Sequence, residues 1–199
     1  MWVPQGKTAD GFETHFGTNF LGHFLLTSLL LDRLPDTAAS RVVTLSSSAH
    51  RGYKLNLDDL QFEKSYSRVG AYRSSKLETL MFALELQRRL ENAGRRVESV
   101  ASHPGMSINT GLIQNQRLKR VLSILTRPLD NPPREAAKPT VYAAIAPDVR
   151  GGQYYGPTGF MKSKGEPGID QPSAQALVRH NAEKLWAIAD ELTDAKWTI

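Results

Sequence analysis

The chain has 199 residues, 40% hydrophobic and 23% charged, enough for one domain with a core of its own. It contains no cysteine, which excludes disulfides, thiolate metal sites and cysteine nucleophiles, and a reducing cytoplasmic setting is expected. The net charge is +5, but the basic residues are scattered, and the densest run, Arg117 to Arg120, has no stacking aromatics beside it, so no nucleic-acid partner is expected.

In chain order, a helical pattern starts near Thr8 or Asp10, with Glu13 placed to complete a capping box from Asp10. It runs to about Leu34, where Pro35 stops it. Phe12, Phe16, Asn19 and His23 share one face, so Asn19 is a polar residue on a largely apolar line. The longest apolar run, Phe24 to Leu31, is far short of a membrane span, and no transmembrane segment or signal peptide is read.

RVVTLSSSAH follows. Val42, Val43 and Leu45 read as a buried strand with serines at its C-terminal end. Arg51 to Val69 reads as a polar loop, and His50–Arg51 at its start are expected to be solvated rather than to cap or contact a substrate. From Gly70 a second helix runs to about Ala93, with Gly94 as its C-cap. Leu77, Leu80, Met81 and Leu84 form one stripe and Phe82, Leu86 and Leu90 another, so this helix is expected to be buried on two faces. VESVASHPG is the next strand, and His103 reads as a structural residue at its end. Arg117 to Leu125 reads as a short amphipathic helix, RPLDNPP as a turn, and Pro133 to Ala146 as a helix. GGQYYGPTG reads as a short strand, and Ser173 to Leu192 as the last helix. Alternation of helices and three strands is the signature of a parallel sheet with crossover helices.

The stretch GAYRSSKLETL places Tyr72 and Lys76 one helical turn apart on the same face. A phenol works as an acid or base near neutrality only if its anion is stabilised, and an adjacent ammonium does that electrostatically. Ser47 lies at a strand's C-terminal end, where parallel sheets place ligands. Taken singly, each feature also fits an ordinary surface pair, a turn or a satisfied core amide.

Together the blocks resemble the short-chain dehydrogenase/reductase family, in its retinol-dehydrogenase-like and WW-domain-oxidoreductase-like branch. GFETHFGTNFLGHFLLTSLLL is similar to the branch's asparagine-bearing helix, RVVTLSSSAHRG to its serine strand, AYRSSKLETLMFALELQRRL to its catalytic helix, and SHPGMSINTGL to the loop at the nicotinamide. GGQYYGPTGF is also typical of the branch.

The resemblance implies that Tyr72 is the general acid or base and that Lys76 lowers its pKa and holds the nicotinamide ribose. It implies that Ser47, rather than Ser46 or Ser48, orients the substrate oxygen, and that Asn19 holds a relay water through its backbone. Pro104, Gly105 and Thr110 would contact the cofactor, NADP or NAD, with NADP favoured by analogy. No metal is implied. The substrate would be an apolar alcohol, aldehyde or ketone, in keeping with Leu112, Ile113, Leu118 and Val121 in the segment from Leu112 to Pro133. A homodimer through helices 10–34 and 70–93 is also implied.

The expected fold is α/β, the C-terminal part of a Rossmann-like doubly wound parallel sheet, with three of about seven strands in a partial domain over 1–199. The sequence holds no TGxxxGxG turn and no Asn-Asn-Ala-Gly strand. Roughly the family's first third is expected to lie upstream of Met1, and the strand near Val42 to lack an inner partner. A catalytically inactive remnant that acts at most as a dimerisation partner is the alternative expectation.

Overall fold

A computed structural model of the chain describes residues 1–105 and 131–199. The expected helix at Arg117–Leu125 and the site residue Thr110 lie outside the described residues. Strands β1 (Arg41–Leu45), β2 (Glu98–Ser102), β3 (Tyr154–Pro157) and β4 (Pro167–Asp170) form one sheet in the order β1-β2-β3-β4. The first three are parallel, with Leu45 opposite Ser102 and Ser102 opposite Tyr155; β4 is antiparallel to β3. The fourth strand is additional to the three read from sequence. Its PGID segment carries turn-type residues, and pairing with β3 draws it into the sheet.

The helices among the described residues are α1 (Gly22–Leu30), α2 (Arg68–Asn92), α3 (Pro133–Ile145) and α4 (Arg179–Thr193). One core cluster joins α1, α2 and α4 and includes Phe20, Phe24, Leu77, Leu80, Leu86 and Trp186. A second, with Val100, Ala143, Val149 and Tyr155, lies under α3. Alternation along β2 divides the two: Val100 packs with α3, while the neighbouring Ser99 hydroxyl bonds the Ala83 carbonyl of α2 at 2.9 Å. As the two stripes imply, α2 is buried on both sides, with Leu77, Leu80, Met81 and Leu90 at 0% exposure.

Helix α2 ends as its sequence suggests. Gly94 has φ +66°; its N–H bonds the Glu91 carbonyl and the Arg95 N–H bonds the Leu90 carbonyl, a Schellman arrangement. A Cβ at Gly94 would meet nothing within 4 Å, so the whole penalty is conformational. Gly94→Ala should lower the unfolding free energy by about 1 kcal/mol, read as a shift in the urea midpoint.

The first helix differs from expectation. Gly11, at φ +87°, closes a turn in which the Thr8 hydroxyl accepts from the Phe12 N–H. Helical structure starts at Thr14, and Glu13 alone caps it, its carboxylate accepting from the Phe16 N–H at 2.7 Å. Phe16–Leu21 is then π-helical before α1 proper begins. The last helix is also subdivided: Ala174–Leu177 forms a 3₁₀ turn before α4.

Helix α4 packs on the aromatic face of α1 and α2. The ring of Trp186 sits 4.9 Å from that of Phe24 and 5.8 Å from that of Phe82, and Trp197 lies 5.0 Å from Phe24. The Arg89 guanidinium stacks over the Trp186 ring at 4.2 Å. The aromatic face of α1 and α2 is thus covered by the same chain. What α1 leaves outward is Leu26, Leu29 and Leu30, each at least half exposed. Among the described residues, strand β1 pairs with β2 alone, and Leu45 at its end is 48% exposed. No helix among the described residues is long and apolar enough to cross a membrane.

Candidate active site

Parallel pairing of β1 with β2 brings two chain segments out at one end of the sheet: Ser46–Ser47 after β1 and His103–Gly105 after β2. The Ser46 N–H bonds the Ser102 carbonyl at 2.8 Å, which holds them side by side. The three serines then take different tasks. The Ser46 hydroxyl donates to the Lys76 carbonyl at 2.6 Å and is buried against α2. Ser47 opens a 3₁₀ turn over Ser48–His50, its hydroxyl accepting from the Ala49 N–H. It is the Ser47 side chain that stands close enough to the Tyr72 phenol to pull its pKa down.

Two clamps hold this serine turn. From α2, Arg73 donates to the Ala49 carbonyl at 3.0 Å and to the Arg51 carbonyl at 2.5 Å. From within, His50 is fully buried with Nδ1 2.6 Å from the Ser47 carbonyl. The Ser173 N–H donates to His50 Nε2, so Nδ1 carries the proton and donates to Ser47. Burial pushes the His50 pKa down, keeping the ring neutral. The expectation of a solvated His50–Arg51 loop is therefore corrected. Its physical reason lies in β4 and the segment after it, which cover the turn; Arg51 also bonds Asp170 there at 2.7 Å.

Tyr72 is 8% exposed and lies edge-on to His15, ring centroids 5.7 Å apart. Burial pushes its phenol up from the ordinary value, and the Ser47 side chain opposes that rise. The Lys76 ammonium donates to the Leu45 carbonyl at 3.0 Å, and burial brings its pKa down to about 8. In this arrangement the phenol is held neutral, and the downward pull on it comes from Ser47.

The Asn19 amide donates to the Ser75 hydroxyl at 2.9 Å, and Ser75 donates in turn to the Tyr72 carbonyl. Its side chain is thus tied to α2. Its backbone lies within the π-helical turn, the kind of local widening that recurs at functional sites. His15 was not singled out by sequence reasoning. The only sign of it is its place four residues before Asn19, and its Nδ1 lies 3.4 Å from the Asn19 amide nitrogen. Burial lowers its pKa.

A cleft of about 230 Å³ between α1 and β1 is lined by Asn19, His23, Thr27, Leu45, Lys76 and Thr79. Gly105 closes the neighbouring segment with φ +72°; a Cβ there would stand 2.1 Å from the Ser163 carbonyl oxygen, so only glycine fits. A hydroxyl, a neutral phenol and an ammonium at the C-terminal end of a parallel α/β sheet define a site for polar-atom chemistry at a ligand oxygen.

No family model matches the chain. It is 41% identical over 199 residues to human retinol dehydrogenase 12, spanning 99% of this chain and 59% of that protein. It is 43% identical over 160 residues to human polyprenol dehydrogenase, spanning 76% of this chain and 47% of the relative. Among solved structures, an uncharacterised protein from Mycobacterium paratuberculosis superposes with a TM-score of 0.79 at 37% identity, over 100% of this chain and 65% of that one. The chain belongs to the retinol-dehydrogenase-like branch of the short-chain dehydrogenase/reductase family. It spans about 59% of the length of the retinol dehydrogenase 12 relatives it matches.

Proposed function

We propose that this chain carries the catalytic side of an NAD(P)-dependent oxidoreductase acting on the carbonyl or alcohol carbon of an apolar substrate. The observation that carries the reading is the placement of Ser47, at the end of β1, beside the buried Tyr72, with Lys76 one helical turn further on. Relatives named retinol and polyprenol dehydrogenases support a long apolar alcohol or aldehyde as substrate. NADP is favoured over NAD by analogy with the branch.

The residues fit the nicotinamide-ribose end of such a cofactor. The hydrogen bond that Lys76 makes among the described residues uses one of its three donors, which leaves the others for ribose hydroxyls. Pro104 and Gly105, and Thr110 beyond the described residues, would line the nicotinamide. When bound, the cofactor supplies or accepts the hydride. Ser47 would orient the substrate oxygen and share a hydrogen bond with Tyr72, whose neutral phenol gives its proton to the oxygen as the carbonyl is reduced. Burial holds the phenol protonated, the form that donates a proton when a carbonyl is reduced. The backbone at Asn19 would hold the water that returns a proton to the site.

Calorimetric titration of the 199-residue chain with NADPH and then NADH tests the reading, together with NADPH oxidation in the presence of all-trans-retinaldehyde. Carbonyl-dependent oxidation with weakened NADPH binding is expected, because the sequence holds no Gly-rich turn for the pyrophosphate. Absence of both would favour the inactive-remnant alternative. That alternative has less support as a dimerisation partner, because α4 already covers the aromatic face of α1 and α2.

A further inference from the structure

Asp170, at the end of β4, is 5% exposed, and its two oxygens meet three groups from different parts of the chain. Oδ2 accepts from Arg51 Nη2 at 2.7 Å and lies 2.9 Å from His103 Nε2; Oδ1 accepts from the Gln171 N–H at 2.8 Å. The Gly105 N–H donates to His103 Nδ1 at 3.2 Å, so that nitrogen is an acceptor and His103 donates through Nε2 to Asp170. His103 is fully buried, its ring 5.0 Å from that of Tyr154, which in turn meets His50 at 5.6 Å. Gly156 makes room for this ring: a Cβ there would stand 1.8 Å from His103 Nε2.

The carboxylate therefore stands between two segments that sequence reasoning treats separately. Through Arg51 it holds the end of the serine turn. Through His103 it holds the Pro104–Gly105 segment after β2. Arg51 also donates to the Gln171 carbonyl at 2.9 Å, and Ser173 reaches back to His50. Charge-assisted bonds to a buried carboxylate are short, directional and roughly twice as strong as neutral ones. Once formed, they fix both segments against one rigid element, the β3–β4 hairpin.

We propose that Asp170 is a positioning residue: with His103 and Arg51 it sets the separation between Ser47 and the Pro104–Gly105 segment, and so the distance between substrate oxygen and nicotinamide. This rests on the oxidoreductase reading for its catalytic consequence, though not for its structural part. Asp170 itself touches neither Ser47 nor Tyr72 among the described contacts.

Asp170→Asn keeps the shape and removes the charge. In amide NMR spectra of the chain, the signals of Ser47–Arg51 and of Gly105 should move together, while those of α4 stay. Turnover should fall about tenfold with KM changed less than about twofold, the signature of lost alignment rather than lost binding. Gly156→Ala, which displaces His103 without touching a charge, should reproduce the Gly105 shift. If Asp170→Asn does not fold, Arg51→Met releases the half-exposed end alone and should move Ser47–His50 while leaving Gly105 in place. Shifts confined to Pro167–Ser173, or a fall in thermal stability with unchanged turnover, would show a purely structural role and overturn the proposal. Should the unaltered chain show no turnover at all, the oxidoreductase reading fails, and the NMR shifts still decide whether Asp170 couples the two segments.

Discussion

Tyr72→Phe should leave the fold intact and lower carbonyl reduction by about 10³-fold, in the range that a positioned general acid supplies. The ring packs edge-on to His15 and is 8% exposed, so Phe retains the packing and only the hydroxyl is lost. Ser47 keeps its bond from the Ala49 N–H, so the serine turn does not collapse when the phenol goes. A loss of less than about tenfold would mean that another group delivers the proton. The pH profile separates Tyr72 from Lys76. Burial raises the phenol, so it stays protonated through neutrality. Lys76, brought down to about 8, carries its charge below that pH and loses it above. Reduction should therefore be flat up to about pH 7 and decline above 8, while Lys76→Arg, whose guanidinium stays charged, should carry the decline to higher pH. An unmoved decline in that variant would assign it to a group other than Lys76.

Much of this arrangement was legible in the residues, for identifiable reasons. Val42 and Val43 announce β1, and the double stripe of α2 announces a helix with two buried faces, because periodicity reports burial directly. Gly94 marks the helix end because only glycine takes φ +66° without strain. What escaped depends on contacts far apart in sequence. Strand β4 exists because Pro167–Asp170 finds β3, and within PGID only Ile169 favours a strand. The π-helical turn at Asn19 follows directly on the Glu13 cap at Phe16, and the spacing of Phe12, Phe16, Asn19 and His23 does not announce it. In the sequence only the family resemblance separates Ser47 from Ser46; the physical distinction, Ser46 bonded to the Lys76 carbonyl, becomes visible only once α2 packs on β1. His50 and Arg51 read as solvated because the 120 or so residues that separate Arg51 from Asp170 and Gln171 hide their partners.

Stability of the chain should fall as pH rises from 5 to 7, by about 2–3 kcal/mol, and Glu78→Gln should remove most of that slope. Glu78 lies on the inner side of α2, 1% exposed. Its neighbour along the helix, Glu85, is also buried but meets two guanidinium groups, Arg88 at 2.5 Å and Arg89 at 2.8 Å. Glu78 has only the Ser74 hydroxyl, which donates to Oε1 at 2.7 Å, and Oε2 has no hydrogen-bond partner among the described residues. Burial raises its pKa to about 8, Ser74 opposes the rise and the charge on Glu13 adds to it. The folded chain therefore holds this carboxyl protonated at neutrality, whereas the unfolded chain releases the proton near the ordinary value of 4.5. A raised acid pKa contributes stability that is complete below 4.5, declines as pH rises, and is gone above 8. A glutamine mimics the protonated carboxyl, still accepts from Ser74 and cannot ionise in either state. Urea midpoints at successive pH values should thus coincide for the two proteins near pH 4 and diverge toward pH 8, with the variant more stable. Parallel curves would mean that Glu78 ionises alike in both states, which its lack of a cationic partner argues against. Because Glu78 is six residues beyond Tyr72 and faces the interior, the variant should gain this stability without loss of turnover; a loss would show that its proton communicates with the site through Ser74 and Tyr53.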